Sequence, residues 1–307
     1  MSGIISLWNR CNSNCIMCTN PYGYRAKEDE RLYRKKMIID KMKRQREEIK
    51  KNGLHFTGGE PTIHPNFLEI IRESRKLFPD TRIGIATNGR RFVYQEFTKK
   101  FLEIGNINIE IAIHGADAET HDGITRTPGS FHQTVKGLRN IFLFKNKSHS
   151  VEIRIILLQQ NYKNLGDIYL LLKKNFPNAE RVVTIFPELE GRAERNKGDV
   201  ALTYSQVGPI IKKETERWSN RFTDFMLYHF PLCTLDSGLW RYTVRTVEEY
   251  ELTFLDSCKN CFYKDCCLGI YKDYIRIKGK DEFIPIKKSK KNVKTDPRKK
   301  YRPILES

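Results

Sequence analysis

Short β-branched segments alternate with helical segments from residue 3 to about residue 190, and this alternation limits the fold more than any other feature. The six strand candidates are 3–8, 54–57, 82–87, 107–113, 151–158 and 181–186. Strands joined by helical crossover segments form parallel sheets. Six β/α units are too few to close an eight-stranded barrel. The pattern therefore predicts an α/β fold, either a partial (β/α)6 TIM-like barrel or a doubly wound sheet.

The alternation is lost after about residue 190, where a cysteine-rich segment precedes a basic tail. We therefore divide the chain into a partial barrel over 1–195, a small cysteine-rich module over 196–275 and a basic C-terminal extension over 276–307. Mobility is common in terminal segments, and we expect it in the extension.

Composition and the N-terminal residues indicate where in the cell the protein is located. A chain of 307 residues with 39% hydrophobic residues can bury a large core. Its apolar runs fall far short of the roughly 20 residues that a membrane span requires. The N-terminus carries neither a basic leader nor an apolar segment of signal-peptide length. We expect a cytoplasmic protein without a membrane partner.

The formal net charge of +18 attracts phosphates or acidic polypeptides. Residues 34–51 and 287–302 carry much of the excess. Long solvated lysines on one face are the simplest interpretation of both segments. The charge alone does not identify a partner.

Eight cysteines in a reducing compartment indicate metal ligation rather than disulfides. Cys11, Cys15 and Cys18 follow the first strand with Cys-x3-Cys-x2-Cys spacing. Three thiolates leave a metal site one ligand short. Either a side chain such as His55 or His64 completes a zinc site, or the open position binds a reacting molecule.

Other polar residues follow the next strands. The second strand runs into Gly-Gly-Glu-Pro, 58–61, the third into Thr87 and Asn88, and the fourth into His114. Because the carboxyl ends of parallel strands meet at one edge of a sheet, we expect these residues near the cysteines. Glycine lacks a Cβ and lets the backbone approach a small ligand closely.

The cysteine loop followed by Gly-Gly-Glu-Pro after the second strand resembles the radical S-adenosylmethionine (SAM) superfamily. In that family three thiolates hold a 4Fe-4S cluster, and SAM binds the fourth iron. The resemblance implies that Cys11, Cys15 and Cys18 are the cluster ligands. The cofactor-binding residues that it implies are Gly58, Gly59, Glu60, Pro61, Thr87, Asn88 and Arg126. Among them, Arg126 is the candidate partner of the SAM carboxylate, because a guanidinium binds a carboxylate through two hydrogen bonds.

The fourth strand departs from the family pattern. Ala112 and His114 stand where many relatives have a polar pair in Ser-x-Asp-Gly. A ribose contact is therefore not carried over to this strand, and His114 is either structural or a substrate contact.

The second cysteine group resembles the auxiliary-cluster segment of the SPASM and twitch groups. Its four implied ligands are Cys233, Cys258, Cys261 and Cys267. A closed set of four thiolates implies an auxiliary 4Fe-4S cluster, and a structural zinc ion is the alternative. Cys266 is one residue out of spacing and is either free or an alternative ligand.

The stretches 87–92, 114–134, 191–196, 230–233 and 258–267 look most like the His-Xaa-Ser system maturases within this superfamily. The resemblance implies an enzyme that receives an electron from an external donor and cleaves SAM to a 5'-deoxyadenosyl radical. That radical abstracts hydrogen from a ribosomally made peptide or small protein. RNA as the substrate and a non-catalytic Zn or Fe-S binding protein are the alternatives. The second cysteine group favours a peptide, and a non-catalytic protein leaves Gly-Gly-Glu-Pro unexplained.

Overall fold

The computed structural model describes residues 3–20, 31, 33–247 and 249–306. Eight parallel strands form its main sheet, and they are paired in chain order. These strands are β1 (Gly3–Ser6), β2 (Leu54–Thr57), β3 (Ile83–Thr87), β4 (Ile107–Ala112), β5 (Ser150–Ile156), β6 (Arg181–Ile185), β7 (Phe225–Tyr228) and β8 (Thr243–Val244). Within the described residues β1 and β8 do not pair, so the sheet is open.

Most helices lie between successive strands, and the longer ones pack against one face of the sheet. The helices are α1 (Lys35–Arg44), α2 (Arg46–Asn52), α3 (Phe67–Leu77), α4 (Gln95–Leu102), α5 (Ala118–Thr125), α6 (Ser130–Phe144), α7 (Leu165–Asn175), α8 (Arg192–Arg195), α9 (Lys197–Val200), α10 (Tyr204–Trp218) and α11 (Lys272–Lys278). Two small antiparallel pairs lie near the C-terminus: β9 (Leu252–Thr253) with β10 (Ile270–Tyr271), and β11 (Lys294–Thr295) with β12 (Ile304–Glu306).

The predicted α/β fold is confirmed, and all six predicted strands are present. A doubly wound sheet reverses its strand order at a switch point, whereas this order follows the chain as in a barrel. Two further parallel strands, β7 and β8, come from the segment that we assigned to the cysteine-rich module. The sheet therefore continues past the predicted boundary at residue 195.

Alternate positions along each strand face opposite sides of the sheet. Ile5, Phe56, Ile85 and Ile109 form one row across β1 to β4, and each is 0% exposed. This row packs against apolar residues of the covering helices in the main core. Burial of large aliphatic and aromatic side chains on this face stabilises each by roughly 1.5–3 kcal/mol.

The opposite, inner face carries a chain of buried and half-buried ion pairs. Arg154 of β5 bonds to Glu110 of β4 at 2.8 Å and to Glu152 at 2.6 Å. Glu152 also accepts from Arg181 of β6 at 3.1 Å, and Glu110 bonds to His55 of β2 at 2.8 Å. Buried charges need such partners because desolvation is costly. The inner face is therefore polar where these ion pairs lie.

The basic extension is anchored to the rest of the chain. The Arg245 amide donates to the Tyr301 carbonyl at 2.9 Å, and Arg302 bonds to Asp224 at 2.8 Å. Ile304 of β12 is buried against Trp240. These contacts tie the far end of the extension to the rest of the chain, and the expected mobility of 276–307 stays a prediction. Across the described residues, no helix is both long and apolar enough to cross a membrane.

Candidate functional site

The cysteine loop and the Gly-Gly-Glu-Pro turn continue the pairing of β1 and β2 beyond the sheet. The Gly59 amide donates to the Trp8 carbonyl at 2.7 Å, and the Glu60 amide donates to the Arg10 carbonyl at 2.8 Å. Trp8 Nε1 donates in return to the Glu60 carbonyl at 2.9 Å. These bonds fix the turn beside the residue that precedes Cys11.

Gly58 and Gly59 are required by this close approach of two backbone segments. A Cβ at Gly58 would lie 2.2 Å from the Trp8 carbonyl oxygen, and one at Gly59 would lie 2.2 Å from that of Arg10. Gly58 also has a φ of +128°, which a larger residue rarely adopts. The glycines thus have a direct role in folding. Their predicted approach to a ligand remains a prediction.

Glu60 is 1% exposed, and both of its carboxylate oxygens accept hydrogen bonds from the protein. Oε1 accepts from the Thr62 amide at 3.0 Å and from the Thr87 hydroxyl at 2.6 Å. Oε2 accepts from the Asn88 amide at 2.7 Å. Burial raises the pKa of Glu60, and these bonds oppose the rise. The carboxylate therefore positions the end of β3, while Pro61 is buried at the start of the next turn.

The two residues predicted after the third strand are placed differently. The Thr87 hydroxyl both donates to Glu60 and accepts from the Gly89 amide at 3.1 Å, so it is already bonded within the protein. Asn88 Nδ2 donates to Asn12 Oδ1 at 2.6 Å and lies 4.0 Å from the Cys11 sulfur. Of the pair, Asn88 lies at the cysteine loop.

The cysteines of the first group are half-buried. Desolvation raises the pKa of Cys11 to about 12, with Glu60 adding to the rise, and it raises the pKa of Cys15 to about 12 with Cys18 adding. Thiolates at these positions require a compensating positive charge. The irons of a cluster supply that charge, so the donor set fits the group that the resemblance implies.

The two histidines that we named as possible zinc ligands are hydrogen-bonded to other groups. His55 bonds to Glu110 at 2.8 Å. His64 Nε2 bonds to the Tyr33 carbonyl at 2.8 Å, and its Nδ1 accepts from the Asn66 amide at 3.1 Å. Within the described part of the chain, no three His, Cys, Asp or Glu side chains are placed to hold one metal ion. A cubane differs from such a site, because each thiolate binds a separate iron.

Two arginines that we did not predict hold the cysteine loop. Arg90, after β3, donates to the Ser13 hydroxyl at 3.0 Å and to the Asn12 carbonyl. The Arg192 amide, after β6, donates to the Cys18 carbonyl at 2.9 Å, and its guanidinium bonds to the Asn14 side chain. Both follow strand ends, which is a signal that was available in the sequence. Their partners in a distant loop are set only by the tertiary fold.

Arg192 also stands out electrostatically. Its positive charge lowers the pKa values of Cys11 and Cys15 against the larger effect of burial. Its Nε is buried and has no hydrogen-bond partner among the described residues. A buried donor of this kind is costly unless a ligand satisfies it.

Arg126 lies on the surface at the C-terminal end of α5, with a φ of +49°. The end of the same helix pairs with the cysteine loop: the Asn14 amide donates to the Thr125 carbonyl at 3.0 Å, and that of Ile16 donates to Ile124 at 2.9 Å. The structure thus brings Arg126 next to the residues that contact the loop. Its predicted role toward SAM remains a prediction.

His114 is 3% exposed at the end of β4. Its amide donates to His121 Nδ1 at 3.1 Å, and its carbonyl accepts from Asn161 at 2.9 Å. Its Nδ1 is buried without a partner among the described residues. Burial, with His121 nearby, lowers the pKa of His114 to about 3, so the ring is neutral at pH 7. The backbone contacts give this residue a structural role.

The four predicted auxiliary cysteines line one cavity. Their co-lining residues include Phe254, Tyr263, Phe283 and Ile286, so the walls are largely apolar. Burial, and then the neighbouring Cys267, Cys258 and Cys261, raises the pKa of Cys233 to about 12. Cys266 does not line this cavity. It packs with Trp240 and Ile304 instead.

Comparisons with known proteins agree with this geometry. The profile described as "Radical SAM superfamily" matches residues 5–172, which is more than half of the chain. The GTP 3',8-cyclase of Clostridium botulinum (strain Hall) is 24% identical over 228 residues, covering 74% of this chain and 68% of that protein. The mycofactocin maturase MftC of Mycobacterium tuberculosis (strain CDC 1551) is 27% identical over 181 residues, covering 59% of this chain and 44% of that protein.

Among solved structures, SuiB from Streptococcus suis superposes with a TM-score of 0.53 at 14% identity, covering 85% of this chain and 55% of SuiB. This likeness concerns the fold. The chain spans about half of the length of SuiB and of MftC. Its open parallel sheet resembles the partial barrels of radical SAM proteins, and membership implies a 4Fe-4S cluster and SAM as cofactors. The chain is an enzyme that belongs to the Radical SAM superfamily.

Proposed function

We propose that this enzyme is a peptide maturase, which abstracts hydrogen from a ribosomally made peptide or small protein. The observation that carries the proposal is the pair of cysteine sites: an open set of three thiols at the sheet edge and a separate cavity lined by four cysteines. A relative named mycofactocin maturase supports a peptide substrate, and SuiB has been solved with its precursor peptide SuiA.

The first site would hold the catalytic cofactors. A 4Fe-4S cluster with SAM on its open iron supplies one-electron cleavage of SAM to a 5'-deoxyadenosyl radical. Cys11, Cys15 and Cys18 would bind three irons. The Asn88 side chain lies beside the Cys11 thiol, and the Asn88 backbone amide donates to the Glu60 carboxylate. In this proposal Gly58 to Pro61, Thr87, Asn88 and Arg126 surround SAM, with Glu60 and Thr87 acting as positioning residues.

The inner face of β6 to β8 would bind the substrate. Val183, Met226, Tyr228 and Val244 form a buried apolar cluster there, with Ile185 packed against it. Val183 pairs in register with Arg154 and with Met226, so the apolar cluster lies beside the ion pairs on the same face. An apolar wall excludes water from a reactive radical, and an aliphatic or aromatic side chain of the substrate can pack against it.

The four-cysteine cavity would hold an auxiliary 4Fe-4S cluster rather than zinc. Zinc requires four sulfurs that converge on one point, about 2.3 Å away. The described residues contain no group of three such ligands arranged for one ion, although all four cysteines line the same cavity. Thiolates that each bind a different iron suit a wider arrangement. The second cluster would receive electrons from an external donor.

Anaerobic reconstitution followed by iron and sulfide analysis tests the two sites together. We expect about eight irons per chain in the wild type and about four in both Cys15→Ala and Cys261→Ala. Cys266→Ala is the matched control, since Cys266 does not line the cavity, and it should keep about eight. About four irons with one bound zinc in the wild type would contradict the auxiliary cluster.

Assays with SAM and dithionite test the reaction. We expect 5'-deoxyadenosine from the wild type and from Cys266→Ala, and none from Cys15→Ala. Candidate precursor peptides from neighbouring genes, GTP and tRNA are offered in parallel, because relatives include a GTP 3',8-cyclase and the charge of +18 favours nucleic acid. Modified GTP or tRNA with unmodified peptides would contradict the peptide proposal. No 5'-deoxyadenosine from fully loaded protein would contradict the reaction itself.

A further inference from the structure

Two large apolar side chains are exposed at the rim of the four-cysteine cavity. Phe262, which follows the ligand candidate Cys261, is 61% exposed, and Ile284 is 71% exposed. The residues on either side of Ile284, Phe283 and Pro285, line the cavity. The Phe262 amide donates to the Ile286 carbonyl at 2.7 Å, which brings the two segments together.

Lysines lie directly next to this apolar pair. Lys287, Lys288, Lys290 and Lys291 follow the cavity-lining Ile286, and all four are exposed. The Lys290 amide donates to the Tyr263 hydroxyl at 2.7 Å, and Tyr263 is itself a wall of the cavity. The lysines are thus held at the rim. We call Phe262, Ile284 and these four lysines the tail face.

The charge of this region is strong and largely unneutralised. Residues 287–302 contain nine Lys and Arg and one Asp, a net charge of +8. In the part of the chain that the structure describes, Lys294, Arg298 and Arg302 pair with Glu306, Asp296 and Asp224. Lys287, Lys288 and Lys291 form no ion pair there. Such a field steers acidic partners to the surface and raises their association rate.

We propose that the tail face docks a small acidic electron-carrier protein of the flavin or iron–sulfur class. The carrier passes one electron to the oxidised cluster held by Cys233, Cys258, Cys261 and Cys267, so that the carrier is oxidised as the cluster is reduced, and no covalent bond forms or breaks. This inference rests on the proposed function, because the auxiliary cluster is itself proposed there.

The composition of the tail face favours a carrier protein over a nucleic acid. Weak electron-transfer complexes bury small interfaces, and an apolar centre with a charged rim is typical of protein interfaces. Here the apolar pair lies beside the cavity, and the lysines extend away from it. A nucleic acid would bind the lysines, but its binding does not require a surface next to a redox centre.

Charge reversal in the tail tests the docking. The tail variant is Lys287→Glu, Lys288→Glu and Lys291→Glu. The matched control is Lys36→Glu, Lys43→Glu and Lys51→Glu, which changes exposed lysines of the other basic segment. Each variant lowers the formal net charge to +12. Binding of oxidised flavodoxin to the reconstituted protein is measured by calorimetry at low and high salt, and cluster reduction by reduced flavodoxin is followed by stopped-flow absorbance.

We expect the tail variant to lose about tenfold or more in flavodoxin affinity and reduction rate at low salt, and the control to stay within about twofold of the wild type. Dithionite needs no docking, so 5'-deoxyadenosine formed with dithionite should be unchanged in both variants. Wild-type affinity and reduction rate in the tail variant would overturn the docking proposal alone. Loss of tRNA binding with flavodoxin reduction intact would assign the surface to nucleic acid. Failure of the wild type with dithionite would count against the proposed function instead.

Discussion

The carboxylate of Glu60 joins the ends of the first three strands at one buried point. It accepts from Thr87 and Asn88 after β3, while its own amide bonds to Arg10 beside the cysteine loop. Hydrogen bonds to a charged, buried acceptor are stronger than neutral ones, and an unpaired donor in their place is costly. The position of Asn88 near Cys11 therefore depends on this one side chain.

Glu60→Gln should destabilise the protein by about 1–3 kcal/mol. A Gln amide places two N–H donors where the carboxylate accepted bonds, so at least one donor of Thr62, Thr87 or Asn88 loses its acceptor. Denaturant unfolding measures the change. Glu47→Gln is the control, because the Glu47 side chain is 84% exposed and should alter stability little. Equal stabilities of Glu60→Gln and the wild type would contradict the role given to the carboxylate.

Arg126→Gln should weaken SAM binding about tenfold without changing the iron content. The loss of a charge-assisted hydrogen bond to a carboxylate costs roughly 1.5–3 kcal/mol. Calorimetry on the reconstituted protein gives the affinity, and Arg139→Gln on the outer surface of α6 is the control. If the affinity of Arg126→Gln is unchanged, the carboxylate partner lies elsewhere, and the buried Arg192 becomes the first residue to test.

At the scale of elements, the site is built where loops that follow neighbouring strands touch. The cysteine loop after β1 and the turn after β2 approach so closely that glycine is required at Gly58 and Gly59. The segment after β6 meets the same loop, where a Cβ at Gly191 would lie 1.9 Å from the Thr19 carbonyl oxygen. Backbone atoms of these two segments therefore pack closely against the cysteine loop on both sides.

Gly59→Ala should destabilise the protein by about 1–3 kcal/mol, because its Cβ would clash with backbone atoms that cannot rotate away. Gly123→Ala in α5 is a matched control. A Cβ there has no atom within 4 Å, and Ala is the better helix former, so its stability should be equal or slightly higher. Unfolding of both variants by denaturant checks the prediction. A neutral Gly59→Ala would show that the two loops separate readily.

How far the sequence predicts the structure also depends on the element. The strands β1 to β6 were predictable because helical segments separate them and most of them are rich in β-branched residues. β7, Phe225–Tyr228, contains no β-branched residue, and β8 has only two residues, so neither is recognisable as a strand from the sequence. Cysteine spacing predicted the two groups, and the four cysteines of the second group do line one cavity. Ligation of a cluster by either group stays a prediction. Arg90 and Arg192 were not predicted, because their contacts join residues more than seventy positions apart.

At the scale of the whole molecule, the ion pairs on the inner face link four strands. His55, Glu110, Arg154 and Glu152 connect β2, β4 and β5, and Arg181 extends the chain to β6. Burial alone would raise the pKa of Glu110, but Arg154 and His55 hold it at about 2. The charged form of this carboxyl thus stabilises the folded state.

Acid should therefore destabilise the fold in a window set by Glu110. Because its folded pKa lies below its unfolded value, the stabilisation is present above about pH 4.5 and is lost as the pH falls toward 2. The shift corresponds to roughly 3 kcal/mol. The free energy of unfolding, measured from pH 6 to pH 3, should fall less steeply in Glu110→Gln than in the wild type. Parallel curves would contradict this assignment.

The walls of the four-cysteine cavity come from chain positions 231 to 286, with Pro285 and Ile286 near its rim. The first cysteine loop is instead held by hydrogen bonds to earlier positions such as Asn196, which donates to the Ile16 carbonyl at 2.8 Å. Its Ile16 and Met17 also belong to one apolar cluster with Val200 and Ala201. During synthesis, N-terminal parts of a chain fold first. The first site can therefore be assembled while the ribosome is still adding the last third of the protein, whereas the second exists only when translation is nearly finished. Truncation near residue 280 would remove Phe283, Pro285 and Ile286 from the walls of the second site and leave the hydrogen bond between Asn196 and Ile16 in place.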